Sequence, residues 1–316
     1  MIEPKVIKQG AKRVWVLGDL HFGVRANSVE WLNIQKDFFE NTFIPILKAQ
    51  VQPGVVLVQV GDTFHNRQSI NIKVLSYAVD LFERLGQILP CYVICGNHDI
   101  WAKKSNDISS IDSLKWIPNV QVYKEPELLN WSGKNVLLMP WRRDAEHETE
   151  TLANYPQADI VYCHSEVRGI YLNAKVKNEH GTDSNIYDKY MRVYSGHIHF
   201  RQERGKLLMV GVPYQLTRSD SNNTKGFDLV NLADMSETFF ENKQAFESPV
   251  SPGCFESRGY KSPGSLLRKL AGWESCCSTA TPRLHDWILE YFRRCGRPQF
   301  LDCGRRPTVW AHLLRI

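Results

Sequence analysis

The chain has no run of about 18 or more apolar residues, so no stretch of it can span a bilayer as a helix. Met1 to Gly10 has no apolar segment of the kind a secretory signal needs, and the cytoplasm is the expected compartment. Basic charge is not in excess where most of the chain lies. Residues 1–250 carry 28 Lys and Arg against 29 Asp and Glu, and the overall +5 arises in residues 251–316, with 11 against 5. A balanced body is not a general nucleic-acid binder by composition, so any groove for DNA on it is local. CxxC spacing is absent from the eight cysteines, which leaves a zinc site in the tail (Cys254, Cys276, Cys277, Cys295, Cys303) without its usual ligand pattern. Cys91, Cys95 and Cys163 lie in or beside apolar runs and read as small buried hydrophobes. Internal repeats are lacking as well.

What is present begins with alternation. Val14–Leu17, Val55–Val60 and Cys91–Cys95 are short apolar runs, and between them residues 29–49 and 70–89 place apolar side chains at helical spacing. Pro45 marks a kink or an early end in the first of these helices, and Pro90 stops the second. Strand, helix, strand, helix, strand predicts an α/β fold with parallel crossovers. Further on, Asn135–Met139, Asp159–Cys163, Arg192–Ser195, Leu207–Val210 and Phe227–Leu232 read as strands of a second sheet, with a polar loop over Ala174–Ser184.

Polar clusters close these runs: Gly18-Asp19-Leu20-His21, Gly61-Asp62-Thr63-Phe64-His65, Gly96-Asn97-His98-Asp99, His164, and Gly196-His197-Ile198-His199. Asn-His-Asp alone suits a turn equally well, and a single histidine suits a loop or core. Six of the ten histidines fall at these strand ends, however, and sites in open α/β sheets lie beyond the carboxyl ends of strands. Two carboxylates, four imidazoles and one amide among these clusters make seven ligands, enough for two cations sharing a carboxylate. Two divalent ions and two carboxylates leave the site positive, which favours a hydroxide and an anionic phosphate group. Imidazole-rich ligation suits Mn, Fe or Zn better than Mg.

In this order the motifs resemble those of the calcineurin-like metallophosphoesterase superfamily. The resemblance implies a four-layer αββα sandwich of two mixed sheets flanked by helices. It implies Asp19, His21, Asp62 and His199 on one metal, with Asp62 bridging to a second metal held by Asn97, His164 and His197. His98 is then the general acid at the substrate phosphate, and Asp99 orients the loop. Within the superfamily the chain resembles SbcD-type DNA-repair nuclease subunits and their bacteriophage recombination-endonuclease relatives. His65, three places after the bridging Asp, sits where that group has a histidine that pairs with the general acid. Met139-Pro140-Trp141, Cys163-His164-Ser165-Glu166-Val167 and Gly211-Val212-Pro213-Tyr214 are similar to that group too.

The function expected from this resemblance is two-metal DNA hydrolysis, exonucleolytic or endonucleolytic, in repair and recombination. The expected ions are two Mn2+, and the expected partners are DNA, an SbcC-type SMC-like ATPase and a second copy of the chain, with no membrane. A stand-alone phosphoesterase acting on cyclic nucleotides or phosphomonoesters is the alternative. A non-catalytic DNA-end-binding subunit is another. Arg25, Arg67, Lys103, Lys104, Arg142, Arg143, Arg201 and Arg204 read as phosphate contacts or as ordinary solvated charge, and Trp101 and Trp141 as base-stacking or packing residues.

The domain expected to carry this activity is residues 1–240. Residues 241–316 form an atypical tail: an incomplete capping and partner-binding region, or non-native sequence. After residue 250 Arg replaces Lys (9 against 2) and regular periodicity mostly vanishes. Arg283–Arg294 is the exception, with Leu284, Trp287, Ile288, Tyr291 and Phe292 on one helical face, which suits a partner-binding helix or a chance pattern.

Overall fold

A computed structural model describes residues 5–6, 10–217, 220 and 223–243. The tail helix expected at Arg283–Arg294 and the tail cysteines lie outside the described residues. The strands in chain order are β1 (Lys5–Val6), β2 (Arg13–Leu17), β3 (Val55–Gln59), β4 (Cys91–Ile94), β5 (Ile100–Ala102), β6 (Ser105–Ser109) and β7 (Val120–Tyr123). They continue with β8 (Glu127–Trp131), β9 (Lys134–Met139), β10 (Ile160–His164) and β11 (Arg192–Gly196). The last four are β12 (Gln202–Arg204), β13 (Leu207–Met209), β14 (Gly226–Asn231) and β15 (Glu237–Glu241).

Two mixed sheets result. One has the order β15-β14-β2-β3-β4-β7, the other β1-β8-β9-β10-β11-β13-β12, and β5-β6 forms a separate hairpin. β2, β3, β4 and β7 run parallel, as do β9, β10, β11 and β13. The alternation along each strand assigns its layer. Val14 and Val16 of β2, Val56 and Val58 of β3, and Tyr92 and Ile94 of β4 face Val136, Leu138, Tyr162 and Tyr194 in the core between the sheets. Trp15, Leu57 and Val93, on the opposite face, pack under the helices Val29–Phe38, Ile44–Gln50 and Ile72–Ile88. The outer face of the second sheet is covered by the helix Ala145–Ala153 and by the segment around Val167–Tyr190. Strands covered on both faces read as unbroken apolar runs, which is why β2, β3 and β4 stand out in the sequence. The architecture is the expected αββα sandwich, with a thin second helical layer.

The irregularity expected at Pro45 takes the form of a π-turn over Phe39–Phe43 directly before it, after which the chain continues as the helix Ile44–Gln50 with Pro45 in its first turn, where a missing N–H is tolerated. One expectation needs correction. β14 does not join the second sheet. It pairs antiparallel with β2, placing Phe227 and Leu229 in the core under the helices, and β15 pairs outside it. No helix among the described residues is long and apolar enough to cross a membrane.

Candidate metal centre

The carboxyl ends of the parallel strands of both sheets meet at one place. Asp19 follows β2, Asp62 follows β3, Asn97 follows β4, His164 ends β10, and His197 and His199 follow β11. The loops are knitted together by main-chain bonds. Leu20 N and His21 N both donate to the Asp62 carbonyl, at 3.0 and 2.9 Å, and Trp141 N donates to the Cys95 carbonyl at 2.8 Å, joining the two sheets. Room for this approach depends on glycine. A Cβ on Gly96 would sit 2.2 Å from Asp62 N, and one on Gly196 would sit 2.4 Å from the Val60 carbonyl. His21, Asp62 and His197 hold φ values of 48, 52 and 77°, a conformation that non-glycine residues adopt only under constraint from their surroundings.

Two groups of donors form. Asp19, His21 and His199 bring ligand atoms within 4.8 Å of one another, and so do Asp62, His164 and His197. In the first group His21 Nε2 lies 3.0 Å from His199 Nε2, and His199 Nε2 lies 3.7 Å from Asp19 Oδ2. In the second, Asn97 Oδ1 lies 2.9 Å from His164 Nε2 and 2.8 Å from His197 Nδ1. Asp62 stands between them, with Oδ2 3.5 Å from His21 Nε2 and Oδ1 3.4 Å from His164 Nε2. Asp19, His21, Asp62 and His164 are buried, while Asn97, His197 and His199 are partly exposed and open the site to one side. All seven residues predicted as ligands are therefore brought together.

The electrostatics are those of buried charge. Burial, with Asp62 adding to it, pushes the Asp19 carboxyl up to about 7. Burial would also raise Asp62, but His164 and His21 outweigh it and hold that carboxyl well below its usual range. Burial lowers His21 well below an ordinary imidazole and takes His197 down to about 3, with His164 contributing. Burial would lower His164 too, but Asp62 and Asp19 carry it up to about 9.

The donor set fits divalent cations. Two imidazole nitrogens 3.0 Å apart either share a proton or turn both lone pairs on one positive centre, and this pair does so beside a buried carboxylate. Nitrogen and oxygen donors with no thiolate match Mn, Fe or Zn.

His98 and His65 sit beside the first group, and His21, His65 and His98 make a third set of close donors. His98 Nδ1 lies 2.7 Å from the carbonyl of His65, and the two rings stack with centroids 5.1 Å apart. The ring of His65 turns instead toward His21, with Nδ1 to Nδ1 at 3.2 Å. His65 thus meets His98 through its carbonyl and by ring stacking, while its Nδ1 reaches His21. Asp99 is buried and accepts from Gly96 N, Phe64 N and Thr63 N at 2.9, 2.9 and 3.2 Å, tying the loops after β3 and β4.

Several supports were not singled out from sequence. Gln59 donates from Nε2 to the carbonyls of Gly61 and Gly18, and its signal was an amide inside a wholly apolar strand. Gln35 donates to the Leu20 and His21 carbonyls, and Tyr214 Oη donates to Leu20 O at 2.7 Å. Asp220 faces His199. Gln35 and Asp220 lie in a helix and a loop where a polar residue attracts no notice, and Tyr214 is visible in the sequence only as the end of a motif.

The candidate phosphate contacts divide. Arg142 is buried and bound to Glu125 and the Lys124 and Pro140 carbonyls, and Arg201 forks onto Asp228. Both are structural. Arg67 donates to the Asn97 carbonyl at 2.7 Å, while Arg25, Lys103, Lys104 and Arg204 are exposed, and the exposed Arg143 pairs with Asp144. Trp141 packs with its ring centroid 5.0 Å from that of His197, whereas Trp101 is largely exposed.

Known proteins resemble this chain. The family model for calcineurin-like phosphoesterase matches residues 12–201. Exonuclease subunit 1 of Enterobacteria phage T4 is 29% identical over 240 residues, which cover 74% of this chain and 69% of that protein. An archaeal phosphodiesterase of known structure aligns with a TM-score of 0.38 and 12% identity, over 72% of this chain and 99% of the other. A protein of unknown function from Aquifex aeolicus aligns with a TM-score of 0.30 and 16% identity, over 49% and 80%. These two structural likenesses are too loose to carry an argument.

Proposed function

The chain belongs to the calcineurin-like phosphoesterase family, and from that premise we propose that it is a two-metal-dependent DNA nuclease, the nuclease subunit of an SbcCD-type complex. The observation that carries this reading is Asp62 standing between two donor groups, one carboxylate oxygen toward each. The similarity to a phage exonuclease subunit supports DNA as the substrate. From the motif resemblance to SbcD-type subunits, its proposed partners are an SMC-like ATPase and a second copy of the chain, and its proposed compartment is the cytoplasm of a bacterial or phage-infected cell. Its nuclease domain is residues 1–240.

Asp19, His21, Asp62 and His199 would hold one divalent cation, and Asp62, Asn97, His164 and His197 the other, with Mn2+ preferred for so imidazole-rich a set. When bound, such a pair supplies an activated hydroxide at neutral pH and neutralises charge on the phosphoryl oxygens. The remaining work falls to side chains. As an imidazolium His98 donates Nδ1–H to the His65 carbonyl, which fixes the ring, and gives the proton on Nε2 to the departing sugar oxygen, ending as the neutral ring with its remaining proton on Nδ1. The ring of His65 supports His21, and Trp141 walls the second donor group beside His197.

The test is degradation of labelled single- and double-stranded DNA by the purified full-length chain with Mn2+, alongside a chromogenic phosphate diester and monoester. Cleavage of DNA by the wild type and none by Asp62→Ala supports the nuclease reading. Turnover of the small esters alone, still dependent on Asp62, replaces it with a stand-alone phosphoesterase.

A further inference from the structure

Asp220 belongs to none of the motifs, yet three residues of its loop grip the segment that carries His199. We propose that Asp220, Asn223 and Lys225 form a strap that positions His199 for the first cation site, with Asp220 as the residue that fixes the ring; the inference rests on the two-cation reading above.

His199 presents two nitrogens to two different surroundings. Nε2 lies among the donors, 3.0 Å from His21 Nε2. Nδ1 points away from them and lies 3.5 Å from Asp220 Oδ1. A carboxylate there keeps the proton on Nδ1, leaves the lone pair on Nε2 and makes that nitrogen a stronger donor. The carboxylate is itself held. Asp220 is 3% exposed, and its other oxygen accepts from Thr217 N at 2.7 Å and Leu216 N at 3.1 Å, so it cannot swing away without stranding two amides.

The main chain of the same segment is held from the same loop. Asn223 brackets Arg201, accepting from its N–H at 2.7 Å and donating to its carbonyl at 3.0 Å. Lys225 is 1% exposed and donates to the His199 carbonyl at 3.3 Å and to Asn223 Oδ1 at 3.4 Å. A lysine so deeply buried needs a negative neighbour, and Asp220 supplies one. Ring and backbone of His199 are thus fixed together by one short stretch of chain. The other ligands are supported differently: the outer nitrogen of His164 meets the Val60 carbonyl at 2.8 Å, and that of His21 meets His65. A strap that served only to close the fold would have no need to place a carboxylate on the outer nitrogen of a ligand.

The experiment is calorimetric titration of Mn2+ into metal-free full-length protein, comparing wild type, Asp220→Ala and Asp220→Asn, with circular dichroism melting of the metal-free forms. The expected result is two binding events in the wild type. In Asp220→Ala one of them weakens by about 10- to 100-fold while the other is unchanged, and Asp220→Asn, which keeps an oxygen but not the charge, falls between. Unchanged affinities in a folded Asp220→Ala overturn the inference and leave the two-cation reading intact. Equal weakening of both events, with a lower metal-free melting temperature, also overturns it, since Asp220 would then act only on the fold. If Asp220→Ala does not fold, Asp220→Asn decides by the same criteria. A wild type without two binding events overturns both readings.

Discussion

By sheet of origin the candidate site has two halves, with carboxylates, an amide and one imidazole in the first and imidazoles alone in the second, and the two are held in different ways. In the first half, Asp19, His21, Asp62 and Asn97 end three neighbouring parallel strands, and their loops are laced by buried side chains: Gln59, Asp99, Gln35 and Tyr214. In the second half, His164 leans on a carbonyl of the first sheet, and His199 on a loop more than twenty residues downstream. The first half is a rigid frame in which side-chain hydrogen bonds overcome backbone strain at His21 and Asp62. The second half is docked onto that frame. His197 N reaches across to donate to Asp19 Oδ2 at 3.0 Å, so the frame also orients part of what docks on it.

Cutting the frame tests this contrast most severely. Asp99→Ala would leave the N–H groups of Gly96, Phe64 and Thr63 without their acceptor in a buried setting, and should cost about 3 kcal/mol or more of stability. Urea unfolding of the metal-free protein measures it, and a loss below about 1 kcal/mol would mean the frame is held by packing instead. A smaller cut is Tyr214→Phe, which removes the hydroxyl bonded to Leu20 O and costs about 1 kcal/mol. It should weaken Mn2+ binding at the site containing His21 and spare the other, as read by calorimetry; equal weakening would mean that the loop after β2 supports both cation sites alike.

The smallest effect is expected behind the second half, at Glu148. This buried carboxylate accepts from Tyr187 Oη and, at 2.9 Å, from Thr182 Oγ1, tying the helix Ala145–Ala153 to the segment that follows His164. Burial raises it above its ordinary 4.5 despite those bonds. A raised acid favours the folded state at low pH, and that contribution is lost as pH climbs from 4.5 through the folded value. Glu148→Gln should therefore melt higher relative to wild type as pH rises across that window, with the difference flattening above it. A constant difference at every pH would show that the carboxylate ionises in the fold as it does in water.

Much of the frame was legible because its causes are local. β2, β3 and β4 are covered on both faces, so each is an apolar run, and each ends in a glycine that permits close approach followed by its ligands. The same logic made His164 and the His197–His199 pair visible. What escaped depends on distant partners. β14 reads as a strand, but nothing in Phe227–Leu232 says that its neighbour is β2. The hairpin β5-β6 and the edge strands β12 and β15 are short, and exposure dilutes their apolar pattern. Asp220 and Lys225 look like ordinary loop charges until the fold buries them. The pairing of His65 with His98 is expected from their motifs, but sequence cannot announce that the hydrogen bond runs through the His65 carbonyl, because every residue has one.

The pairing of β14 with β2 has a consequence for how the protein comes into being. During synthesis β2 emerges early and gains β3 on one side within some forty residues, while its other edge has no strand until Gly226–Asn231 is made. At about 5–20 residues per second that edge lies open for on the order of ten to forty seconds. An unpaired edge beside an apolar strand is a template for association with other chains. Nascent protein should therefore be most prone to aggregation before residue 226 leaves the ribosome, and chains truncated between β13 and β14 should be markedly less soluble than chains that extend through β15.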